Sequence, residues 1–238
     1  MKKLSRLEIL FWQIAILALS LAIWEWGYDL RRIAALKPFV PGILDPYFIS
    51  KPSMIWTSFL KLGCFSDKAG FSACVAGNEN NLWFATAVTL KNMWWGFLGG
   101  TLSGVVMGLL LGRSDTLSRI FQPYIIALNS IPRIALVPLI ILMFGLGDMS
   151  KIVTAWIVVF FVVFFNTFEG TRAVDRDQIA AARLLGASEL TVTRTVVIPS
   201  ALAWVFASLT PAVSFALIGV IVGEFIGAER GLGGHGRA

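Results

Sequence analysis

Apolar residues in this chain run in long unbroken blocks rather than in alternation or along one helical stripe. Five blocks approach the roughly 20 apolar residues that a helix needs to cross a bilayer: about Ile9–Trp26, Leu82–Leu111, Phe121–Phe144, Ile152–Phe168 and Ala201–Ile226. The pattern predicts an all-α polytopic membrane protein with about five spans, read as one membrane domain over 1–238. Two polar stretches interrupt it, a long loop over 28–81 and a charged segment over 169–200. The first block is not a cleavable signal, because "WEWGYDLRR" follows it in place of a small-residue cleavage site.

Each stretch carries local signals. In the long loop, the X-Pro turns of "KPFVPGILDPYFIS" keep the chain extended. Ser53 is placed to cap a short helix whose Ile55, Phe59 and Leu62 share one face, for the membrane interface or the bundle. Cys64 and Cys74 lie ten residues apart in the same loop. They can close a small disulfide in an oxidising compartment or remain two thiols, and spacing does not decide between these.

The second block holds Gly96, Gly100, Gly104, Gly108 and Gly112, one every fourth residue, and the spacing returns at Gly219, Gly223 and Gly227. In lipid, such a ladder marks a seam where another backbone comes close. Static packing is favoured over a seam that shifts during gating. The third block contains Pro123, Pro132 and Pro138 together with Asn129 and Arg133. Prolines free carbonyls that need partners, and an intramembrane arginine needs a cavity or a pair. An irregular helix lining an interior path fits these residues; an interfacial Arg133 is the alternative. Asn129, Arg133 and Glu224 are therefore candidates for a translocation path or gate.

Composition agrees with the membrane reading. Hydrophobic residues make up 57% of the chain and charged residues 14%, far below the quarter usual for soluble domains. The net charge of +6 reads as topology and headgroup contacts rather than nucleic-acid binding. Basic residues divide evenly between the two faces, so charge alone does not orient the protein. No Gly-rich phosphate loop, metal cluster or Ser–His–acid set is present, and the single histidine is His235. No metal site and no cofactor of its own are expected. Transport or scaffolding remains, and an ion-coupled transporter would want more mid-membrane acids or histidines.

The charged segment reads as a helical hairpin off the membrane. Asp175 followed by Gln178 makes a capping-box-like start for a helix to about Leu185. Ala180, Ala181 and Ala182 propagate it and offer a flat surface, and Arg172, Arg176 and Arg183 share a stripe. Gly186 suits a left-handed C-cap, Ser188 restarts a helix, and Pro199 marks the next element. Connections usually need only about 2–8 residues, so a docking element explains the length better than a linker.

"AAARLLGASELTVTRTVVIP" resembles the EAA loop of inner-membrane permease subunits of bacterial ABC importers: Glu-Ala-Ala, three residues, Gly, nine residues, Ile-x-Leu-Pro. Here Ala180, Ala181, Ala182, Gly186 and Val196 to Pro199 stand at those spacings. "SKPSMIW", "IPRIALVPLIILMFGLG" and "GVIVGEFIGAERGLG" are similar to the nitrate/sulfonate/taurine branch. The resemblance implies a type I ABC importer permease fold, a homodimer in the bacterial inner membrane, and coupling through Ala180, Ala181, Ala182, Arg183, Gly186 and Pro199. It implies cytoplasmic ATPase subunits that bind ATP and Mg, and an external, periplasmic binding protein. The hairpin and N-terminus would then face inward and the Cys64/Cys74 loop outward. A small anion or vitamin precursor is the expected cargo: sulfonate, taurine, nitrate, bicarbonate or pyrimidine. Two departures stand out. Ala180 replaces the motif glutamate, and the chain stops at "GHGRA", where such permeases continue into a further helix, so a truncated or inactive scaffold is the alternative expectation.

Overall fold

The computed structural model describes residues 5–30, 50–65, 71–77, 81–227 and 230–234; among them every regular element is helical. Chain contacts divide it into two compact units, Met1–Leu82 and Trp83–Ala238. The X-Pro turns of the long loop and His235 lie outside the described residues.

The first unit holds α1 (Arg6–Leu30), α2 (Pro52–Leu62) and α3 (Phe71–Gly77). A capping box starts α1: the Ser5 N–H donates to Glu8 Oε2 (2.7 Å) and the Glu8 N–H to Ser5 Oγ (3.2 Å). Its apolar side chains, among them Leu7, Phe11 and Ile16, face outward as a lipid-facing helix requires. Ser53 does not cap α2. Lys51 holds the cap position without a side-chain bond and Pro52 opens the helix. Proline needs no donor there, so Ser53 is free to bond α1, its Oγ and N–H donating to the Glu25 carboxylate at 2.7 and 3.0 Å. Cys64 and Cys74 are joined as a disulfide between the end of α2 and α3.

The second unit is built around α7 (Asp148–Arg172). On one side lies α4 (Leu82–Arg113), whose glycine ladder meets it rung by rung. Gly96 faces Ala155, Gly100 faces Val159, Gly104 faces Val163, Gly108 faces Thr167 and Gly112 faces Thr171. The helices run parallel, and a Cβ on Gly96, Gly100, Gly108 or Gly112 would come within 2.5–2.7 Å of the facing Cβ. Against its other side packs α10 (Ile198–Gly227), where Ala212, Ala216 and Val220 form a core with Ala155, Val159 and Val163. Gly219 lets α10 approach the Ala155 Cα, 3.3 Å from an ideal Cβ at 219.

The third block is not one continuous helix. It is a bent pair, α5 (Asp115–Asn129) and, after a 3-10 turn over Arg133–Leu136, α6 (Val137–Phe144), broken by 81°. Pro123 is tolerated inside α5, whereas Pro132 breaks the path. It supplies no N–H and biases Ile131 away from helical geometry, and it is itself extended at φ −61°, ψ 106°.

The charged segment folds as α8 (Arg176–Leu184) and α9 (Glu189–Val192). Pro199 stands in the first turn of α10, where the next element begins. A π-helical turn over Thr193–Val197 carries α9 into α10 without interruption. A proline ring crowds the carbonyl four residues back, here Thr195, and the wider turn relieves that clash.

Candidate functional site

The break in the third span opens onto a cavity of about 450 Å³. Its wall runs from Asn129 through Ile134 and is completed by Val137, by Thr154 and Val158 of α7, and by Phe215, Ile218, Gly219 and Val222 of α10. The lining is mainly apolar, with its charge concentrated in Arg133. The Arg133 guanidinium bonds the Asn129 side-chain carbonyl one turn back and lies 5.4 Å from the Phe161 ring centre. Its Nε is buried without a hydrogen-bond partner. Asn129 and Arg133 thus come together on the cavity.

Glu224 lies elsewhere. It is fully buried in the last turns of α10, where the Thr89 hydroxyl of α4 sits 2.8 and 3.0 Å from its two oxygens. The Gly233 N–H donates to Oε2 at 3.0 Å, and the Leu232 N–H donates to Thr89 Oγ1 at 3.1 Å. The segment 230–234 is folded over the carboxylate so tightly that a Cβ on Gly231 would lie 2.0 Å from Oε1. Beside it, Lys151 is buried and donates to the Arg230 carbonyl at 2.9 Å. Glu224 is absent from the cavity wall and binds the end of the described chain to α4.

Thr89, Lys151 and Gly233 escape sequence reasoning. A lone threonine in an apolar helix and a lysine at a span boundary look ordinary until the fold brings residues 89, 151, 224 and 230–233 together. Lys151 is hidden because its stem lies against Gly223, 3.6 Å from an ideal Cβ. The GxxxG spacing was the available hint that something close would fill that groove.

At the opposite end of α4 and α7, the hairpin forms as its capping residues dictate. Asp175 caps α8 by accepting from the Asp177 N–H (2.9 Å). Gly186, at φ +81°, closes α8 in a Schellman motif: its N–H donates to the Arg183 carbonyl (2.9 Å) and the Ala187 N–H to the Ala182 carbonyl (3.1 Å). Ser188 caps α9, accepting from the Thr191 N–H. The three alanines do not share one surface. At about 100° per residue, Ala182 turns inward onto Val174, Val192 and Val197, while Ala180 and Ala181 stay outside. Leu184 and Leu185 are each 89% exposed, a large apolar tip with no partner in the described chain. Glu189 ties the hairpin down by pairing with both Arg183 and Arg113 at the end of α4.

Residues 100–235 match the family of binding-protein-dependent transport system inner membrane components. This chain belongs to that family. A probable ABC transporter permease protein of Haemophilus influenzae is 36% identical over 208 residues, covering 85% of this chain and 82% of the relative. The taurine transport system permease protein TauC of Escherichia coli is 28% identical over 220 residues, 92% of this chain and 73% of its own length. The putative aliphatic sulfonates transport permease protein SsuC of Bacillus subtilis is 33% identical over 138 residues, 58% and 50% respectively. The chain is a multi-pass inner-membrane permease subunit of an ABC importer, a transport component rather than an enzyme. Its family works with ATPase and substrate-binding subunits.

Proposed function

We propose that the permease passes a small organic or inorganic anion, of the sulfonate or taurine type, through the cavity at the broken third span. The observation that carries this reading is Arg133. It is an intramembrane guanidinium whose hydrogen-bond partner is the neutral Asn129 carboxamide, with a buried, unbonded Nε on a mainly apolar cavity. A cation within a membrane span is tolerated when it faces a cavity or meets a group of opposite charge. No carboxylate pairs with Arg133 among the described residues, so a passing anion fits the role. Relatives named for taurine and aliphatic sulfonates carry such groups; those named for formylaminopyrimidine and riboflavin give an arginine less to do.

The permease acts as a homodimer with two ATPases that bind ATP and Mg. The hairpin is the contact through which nucleotide-driven closure reaches the bundle. Leu184 and Leu185 seat in the ATPase, and Gly186 holds the turn that presents them. An external binding protein delivers the anion to the outward-open state. ATP biases the two states because it binds the closed ATPase pair better, as any two-state switch requires.

The test is uptake of labelled taurine, an alkanesulfonate, nitrate and a pyrimidine into vesicles holding the co-purified complex and its binding protein. ATP-dependent uptake of an anion that persists when ion gradients are collapsed, and falls on Arg133→Gln, supports the reading. Uptake of a neutral pyrimidine, indifferent to Arg133→Gln, contradicts the anion assignment. No uptake of any solute by an assembled complex would favour an inactive scaffold.

A further inference from the structure

The hairpin end of the bundle holds a second pocket, about 340 Å³, whose walls are unbalanced in charge. Arg113, Arg172, Arg176 and Arg183 line it, with Asp115 as the one carboxylate in the wall. Glu189, outside the wall, is shared by Arg183, whose Nε donates to it at 2.8 Å, and Arg113. Arg172 donates to Ser118 Oγ at 2.8 Å and lies 3.5 Å from the exposed Asp115 carboxylate. Two carboxylates therefore serve three arginines, and Arg176 is paired with neither. Ala180, where the EAA motif carries glutamate, forms part of the same wall. A carboxylate at 180 would add a third negative group to the four arginines; a methyl group leaves two.

The pocket sits where two apolar spans end side by side. Gly112 of α4 faces Thr171 of α7, and Arg113 and Arg172 are the last residues of their helices. Charged residues that close an apolar span are of the kind that meets headgroups. Guanidinium forks match phosphate oxygens in pairs, and basic pockets between span ends take acidic headgroups.

We infer that this pocket binds a phosphate-class anion, and that its source is the phosphodiester of an anionic phospholipid, which compensates the positive charge that Glu189 and Asp115 leave unbalanced. Three of the arginines are already oriented by Glu189, Ser118 and Asp115, and Arg176 is free to close over the bound group.

The test is native mass spectrometry of the full-length permease in mild detergent, alone and with its ATPase subunits. Equal amounts of phosphatidylglycerol and phosphatidylethanolamine are supplied, and inorganic phosphate alone forms a third arm. The wild-type protein should retain phosphatidylglycerol preferentially. Arg176→Gln should weaken that preference about fivefold, at roughly 1 kcal/mol per basic group near an anionic headgroup. Ala180→Glu, which supplies the carboxylate in cis, should abolish it. Both positions are exposed, and an unchanged unfolding temperature without lipid checks that each variant is folded. Stabilisation by inorganic phosphate that Ala180→Glu removes, without any lipid preference, keeps the anion site and overturns the lipid source. Equal retention of both lipids with no response to phosphate overturns the proposal, as does a preference unchanged in both variants. Loss of the preference whenever ATPase subunits are attached assigns the arginines to that partner and also overturns it.

Discussion

Gly96 on α4 and Ala155 on α7 approach so closely that a Cβ added at position 96 would lie 2.5 Å from the Ala155 Cβ and 2.9 Å from the Ile152 carbonyl. Four further rungs repeat the arrangement down the parallel pair. Since Gly219 of α10 meets Ala155 from another direction, α7 is held between two neighbours at backbone distance. A seam filled this way resists sliding, which favours static packing.

The seam predicts an asymmetry among glycines. Gly100→Ala puts a Cβ 2.7 Å from Val159 Cβ and 2.8 Å from the Trp156 carbonyl, a clash with backbone that only helix separation relieves. It should cost about 1–3 kcal/mol and lower the unfolding temperature of the purified protein. Gly223→Ala meets the Lys151 side chain at 3.6 Å, an ordinary contact, and should leave that temperature unchanged. Equal effects would mean the ladder is not a packed seam.

At Gly186 the requirement is conformational rather than steric. Its φ is +81°, and nothing lies within 4 Å of where a Cβ would sit. A left-handed residue other than glycine costs roughly 1–2 kcal/mol, and asparagine tolerates it best. Gly186→Val should stay in the membrane yet lose uptake, while Gly186→Asn keeps most of it. Normal uptake by the valine variant would remove the turn from the coupling route.

Thr89 and Glu224 form the interaction that ties α4 to the far end of α10. Thr89→Val keeps the shape but removes a donor from a fully buried carboxylate, and should cost about 1–3 kcal/mol. The Leu232 N–H loses its acceptor as well, so limited proteolysis should cut within 230–234 faster than in the wild type. An unchanged cleavage rate would show that the segment is held by something else.

Much of this architecture was legible in the residues. The apolar blocks announced the spans because a bilayer imposes length, and the glycine ladder announced a seam because lipid does not fill the space a missing side chain leaves. Asp175, Gly186 and Ser188 placed the hairpin because capping chemistry is local. What escaped was non-local or cooperative. Whether Pro132 bends a span depends on what surrounds it, and Pro123 in α5 shows that a proline alone does not. Pro199 marks the start of α10, but the π-turn that leads into it is announced by no spacing rule. The partner of Glu224 on α4, Thr89, is 135 residues away and no local signal points to it.

The most direct test of the hairpin's role is the mass of the complex that the tagged chain brings out of its own membranes under mild extraction. The account predicts two permease chains carrying two ATPase subunits, and loss of the ATPases from a Leu184→Asp, Leu185→Asp variant that still dimerises. A wild-type chain without ATPase, or a double variant that keeps it, would contradict the claim that this hairpin is where ATP drives the permease.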